Sequence, residues 1–247
     1  MSSVDQKATS ANASPRPPSA GAQFVLLLKK ELSIEFRTRE MISSMGLYAL
    51  LVLVVFGVAI GQTLWAYDIM PVAGGLLWVL VVFTSLLGLN RSFNREKELS
   101  AFEALLVAPL DRGAIFLAKA AANALFLVVI QLIAVPLFAV FFFANTAIAP
   151  TAPLVAVPLL VGSVGIAGVG TLLATMTMHT RGRDVMLALL FIPIVFPLLY
   201  SCVSAASMTL LGADDLMPFV QATVLALGYD AVMIILGWVL YDVVCGS

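Results

Sequence analysis

The chain has 247 residues, 62% of them hydrophobic and 11% charged, with 13 Lys and Arg against 14 Asp and Glu. A soluble globular domain is about half apolar and a quarter charged, so this composition excludes one. The 17 Gly and 12 Pro are ordinary for the length, and a formal net charge of −1 gives no electrostatic case for nucleic acid.

Residues 1–20 are rich in Ser, Ala and Pro and are expected to form a disordered tail. They do not read as a secretory signal, because no short apolar stretch with a cleavage site follows. Over residues 21–42, Phe24, Val25, Leu28, Leu32 and Phe36 recur at helical spacing, with Lys29, Lys30, Ser33, Arg37 and Glu40 turned away. Glu35 and Arg39 stand four apart, in favourable order for a helical ion pair. The pattern predicts an amphipathic helix lying in the membrane interface.

Six apolar runs come next, at roughly 43–61, 71–90, 120–144, 152–178, 184–205 and 217–241. Each reaches the ~18 residues that separate a spanning helix from a buried core helix, and β-barrel alternation is missing. The expected fold is all-α and polytopic. A six-helix transmembrane domain fills 43–242, an interfacial helix precedes it, and a short tail at 243–247 follows. All 13 Lys and Arg lie before span one, between spans two and three, or between spans four and five. The loops on the other side carry only Asp68, Asp214 and Asp215 as charged residues. By the positive-inside rule both termini and the two basic loops face the cytoplasm.

The long loop and its edges, residues 91–119, are patterned. Ser100-x-x-Glu103 is a capping box, so a short helix should start near residue 101. Pro109 should stop it. Phe102, Leu105 and Leu106 then share one side, with Arg95 and Glu96 just upstream. Asp111 is placed to cap span three, beginning near Arg112. A charged loop carrying a short amphipathic helix suits a membrane subunit that plugs into a soluble motor. Arg181 and Arg183 in the smaller loop offer a second contact on the same face.

Span four carries Gly162, Ser163, Gly165, Ala167, Gly168, Gly170, Thr171 and Ala174, small residues that let helices approach closely. Span five carries Pro193 and Pro197, which predict a kink or local unwinding. Asp230 in span six is the only ionisable group expected near the bilayer midplane, and an intramembrane carboxylate is a functional candidate by default.

Several chemistries are missing. No G-x-x-x-x-G-K-[ST] stretch exists, so this chain is not expected to cradle nucleotide phosphates or to be an enzyme. Cys202 and Cys245 are expected on opposite sides of the membrane and make no metal or redox pair. One histidine, His179, builds no multi-histidine metal site.

The sequence resembles the cytochrome c maturation B family of permeases over about residues 22–242. The resemblance rests on Lys30-Glu31 and Arg37, on Leu77-Trp78 entering Leu86-Leu87, and on Glu103-Ala-Leu-Leu-Val-Ala-Pro109 with Ala118-Lys119. Arg181-Gly-Arg-Asp-Val-Met with the later Pro193 and Pro197 matches equally well. The resemblance implies an ABC-2-type permease in the bacterial inner membrane, dimeric and paired with an ABC ATPase subunit (A). A haem-handling C subunit, a small D subunit and the haem chaperone E complete the implied complex. ATP would be bound in the ATPase and haem handled by the complex. This chain itself is expected to bind no cofactor, because its outer loops hold no His and offer only Met70, Met208 and Met217 as axial candidates. On this reading Arg95, Glu96, Phe102, Glu103, Leu105, Leu106, Pro109, Arg181 and Arg183 couple to the ATPase, while Asp230, Pro193 and Pro197 act within the membrane. Two alternatives stay open: an ABC-2 exporter of lipid, drug or glycan, and an ATPase-independent secondary transporter using Asp230.

Overall fold

The computed structural model describes residues 19–61, 70–98, 111–143, 149–177, 180, 182–212 and 215–244. The expected tail lies almost wholly outside these residues. So do the capping-box helix, Arg181, His179 and Cys245. Among the described residues the regular elements are all helical: α1 (Ala20–Thr38), α2 (Glu40–Gly61), α3 (Met70–Glu98), α4 (Arg112–Phe143), α5 (Ala156–Thr177), α6 (Arg183–Leu211) and α7 (Met217–Val244). A 3₁₀ turn at Ala152–Val155 leads into α5.

Helices α2 to α7 contain the six stretches long and apolar enough to cross a membrane. Their ends depart from the apolar runs where a cap outweighs composition. As the expected cap implies, the helix of span three starts at Arg112, ahead of its apolar run at 120, with Asp111 Oδ1 accepting the Ala114 amide at 3.1 Å and satisfying a first-turn donor. Lys119, counted above as a loop-edge charge, therefore sits inside α4 and is buried. Span five runs on past 205 to Leu211. Gly212 closes it at φ 71, where a side chain would be strained, and its amide donates back to Met208. Both prolines of α6 lie within continuous helix, so the expected local unwinding is not seen. Their rings point outward, while Phe191, Val195 and Leu198 pack inward.

Helix α1 ends one residue early for its expected ion pair. Arg39 leaves the helix at φ 54, which breaks the spacing that would set it against Glu35. The buried Glu35 carboxylate accepts the Ile42 amide at 2.9 Å, so the last turn of α1 caps the first turn of α2. The packed face of α1 keeps Leu28 and Leu32 of the apolar stripe against the core but also takes in polar residues. Gln23 and Glu35 are buried, whereas Val25 and Phe36 are exposed. Helix α1 packs mainly on α4, and its two buried polar groups satisfy neighbouring helix ends, Gln23 at the start of α4 and Glu35 at the start of α2.

Helix α5 forms the centre, against α3, α4, α6 and α7. Gly162 lets the Trp78 ring sit where a side chain would be: a Cβ there would meet Trp78 Cη2 at 2.1 Å. Two buried hydrogen bonds tie α5 to α4. Asn123 Nδ2 donates to Thr171 Oγ1 at 3.1 Å, and Gln131 Nε2 donates to Ser163 Oγ at 2.9 Å. In hydrocarbon such bonds contribute about 0.6 kcal/mol each, rarely more than about 1.7. Helices α2 and α7 lie outermost.

Candidate functional site

Alternate helices reverse direction, so the ends rich in Lys and Arg gather at one side of the bundle: α1, the end of α3, and the starts of α4 and α6. At this basic end Arg91 Nη1 pairs with Glu40 Oε1 at 3.0 Å, an exposed bridge between α3 and α2. Such a pair is worth under about 1 kcal/mol. Arg95 and Glu96 fall within α3, in a stretch whose side chains are outside the described residues. Phe102, Glu103, Leu105, Leu106 and Pro109 lie wholly outside them. Arg183 opens α6, its side chain likewise undescribed.

The loop returns at Asp111, whose backbone amide donates to Gln23 Oε1 of α1 at 2.8 Å. Gln23 is buried, and an unpaired carboxamide there would be costly. Sequence reading missed it, because a polar residue beside Phe24 and Val25 reads as the solvated face.

Asp230, the midspan candidate, lies in α7 and is 4% exposed. It enters the groove that the small residues of α5 leave open. A Cβ on Gly165 would lie 1.9 Å from Asp230 Oδ1 and 2.6 Å from Leu198 Cδ2. Neither carboxylate oxygen has a hydrogen-bond partner among the described residues. A buried carboxylate left so costs several kcal/mol, and groups of this kind persist where function retains them. Tyr229, its neighbour, turns about 100° around the helix and donates its hydroxyl to the Ile194 carbonyl of α6. Ile194 lies in the turn between Pro193 and Pro197. Asp230 thus faces α5, while its neighbour Tyr229 ties α7 to the proline-bearing stretch of α6, whose prolines themselves are exposed. Cys202 of α6 is buried nearby, its Sγ 3.2 Å from where a Gly162 Cβ would be. Among the described residues no cluster of His, Cys, Asp and Glu is arranged to hold a metal ion.

What this arrangement offers is mechanical. One end of the bundle meets a charged loop, and a buried polar joint among α5, α6 and α7 lies at its middle. Heme exporter protein B of Escherichia coli (strain K12) is 30% identical over 100 residues, covering 40% of this chain and 44% of that protein. Heme exporter protein B of Shigella flexneri matches with the same identity and coverage. The alignment thus spans less than half the length of these curated relatives. The family described as CcmB protein matches residues 22–239, from α1 through all six spans, and the chain belongs to the CcmB family.

Proposed function

We propose that the chain is the permease subunit of an ABC exporter serving cytochrome c maturation, in the bacterial inner membrane with both termini cytoplasmic. It hydrolyses nothing itself. A partner ATPase binds and splits ATP, and two copies of this chain carry the resulting motion across the membrane for haem delivery or release of a haem-loaded chaperone outside. A haem-handling subunit and a small accessory subunit complete the assembly. The observation that carries this reading is the span of the family match, 22–239, which leaves no transmembrane helix unmatched.

The segment 91–109 docks the ATPase. Phe102, Leu105 and Leu106 supply an apolar side that fills a groove, and Arg95, Glu96 and Glu103 set its register through charge. Pro109 ends the docking helix, while Arg181 and Arg183 touch the ATPase from the second basic loop. Inside the membrane, Asp230 with the proline-bearing stretch of α6 is the element that changes arrangement.

Affinity purification of the tagged chain from its own membranes tests the reading. The ATPase is expected to copurify with the unaltered chain, and Glu103→Lys combined with Leu106→Asp is expected to reduce recovery at least tenfold at equal membrane abundance. Undiminished recovery with the double variant contradicts the docking assignment. Purification without any ATPase contradicts the ABC reading and favours an Asp230-based secondary transporter.

A further inference from the structure

The first turn of α4 follows directly on the loop assigned above to ATPase docking, so whatever it touches receives the loop's motion. On one side it meets α1, through the Asp111 amide and Gln23. On the other it meets the last turns of α7. There two glycines, one on each helix, receive an aromatic ring from the other. A Cβ on Gly113 would lie 1.9 Å from Trp238 Nε1 and 2.4 Å from its Cδ1. A Cβ on Gly237 would lie 2.3 Å from Phe116 Cζ. Real side chains do not approach so closely, so the glycines are what permit the contact. The rings of Phe116 and Tyr241, both fully buried, stand 5.5 Å apart beside it and close the joint.

Trp238 is half exposed, as suits a tryptophan at a membrane interface. An indole serving only as an interfacial anchor, however, needs no glycine opposite it. The reciprocal seating fixes both the separation and the rotation of α7 on α4. Along α7, Trp238 and Asp230 are eight residues apart, about 12 Å, and no proline interrupts the helix after Pro218. Helix α7 thus links the α4 start without a break to Asp230 against Gly165 and to Tyr229 on the Ile194 carbonyl.

We infer that the Gly113–Trp238 and Phe116–Gly237 contacts form a coupling joint between the docking loop and α7, with Trp238 its positioning residue. This rests on the ABC permease reading. Nothing in it requires Trp238 to touch the ATPase, haem or any other ligand.

The test is a double-mutant cycle in the assembled complex, reading ATPase copurification and covalent haem attachment to c-type cytochromes, both per unit of permease in the membrane. Trp238→Ala and Gly113→Ala are each expected to lower haem attachment at least fivefold while ATPase recovery stays within twofold of the unaltered complex. The double variant is expected to be no worse than the poorer single, because removing the indole removes the clash with the new methyl group. Trp238→Leu, which keeps apolar bulk, carries the same comparison should the alanine variant fail to accumulate. Haem attachment within twofold of normal for the Trp238 variant used, or single effects that multiply in the double variant, overturns the joint. If the unaltered chain brings no ATPase, the permease reading falls first. If it does and the Trp238 variants are silent, only the joint falls.

Discussion

Helices α5 and α7 are nearly equal in mean hydropathy, yet 61% of the most apolar stretch of the fourth span is buried against 17% of the sixth. Hydropathy reports whether a segment enters a bilayer, not where it sits among its neighbours. Position is set by side-chain size and by polar pairing. α5 offers Gly162, Gly165 and Gly170, which receive side chains from two neighbours: Trp78 and Leu89 of α3, and Asp230 of α7. Helix α7 receives a ring at its basic end, where Gly237 takes Phe116, but at Gly228 nothing lies within reach of an added Cβ. At midspan the inner helix is thus shaped to receive, and the outer helix inserts Asp230.

The sharpest way to break this contrast is to add one methyl group to each helix. Gly165→Ala forces Asp230 and Leu198 aside and is expected to destabilise the protein by about 2–3 kcal/mol, the usual scale of overpacking. Gly228→Ala is expected to leave stability unchanged within about 1 kcal/mol, or to raise it slightly through helix propensity. Thermal unfolding in detergent measures both, and equal effects would contradict the contrast. Next in size is Tyr229→Phe, which strips one hydrogen bond from the Ile194 carbonyl and is expected to cost about 1 kcal/mol in the same assay. An unchanged unfolding midpoint would show that the α6 contact does not hold α7. The smallest effect is in the α4–α5 pairing. A cycle of Gln131→Leu and Ser163→Ala is expected to yield a coupling energy of about 0.6 kcal/mol, and strict additivity would remove this bond from the account.

The spans were legible in the sequence because they follow from transfer energies of single residues. So was the Asp111 cap, a local matter of three residues. The α4–α5 bonds carried a signal that single-span reading passes over. Asn123 and Gln131 are eight residues apart, as are Ser163 and Thr171, which lets antiparallel helices pair them in register. Glu35 was misread because an i,i+4 partner is the nearest explanation for a helical carboxylate. The left-handed turn at Arg39 that redirects it to Ile42 is a junction property no helical wheel contains. Lys119 was misread for a related reason, since charge at the edge of an apolar run suggests a loop until the cap places it within the helix. The seating of Asp230 against Gly165 and the Tyr229 contact with Ile194 were beyond sequence, because they depend on which helices adjoin.

The central claim is that this chain carries motion from a partner ATPase to haem delivery for c-type cytochromes. It is tested most directly by removing the chain from its host and measuring covalent haem on c-type cytochromes by haem-stained electrophoresis. The account predicts loss of the haem-stained bands and their return when the unaltered chain is supplied from a plasmid. Normal covalent haem in the chain's absence would contradict it.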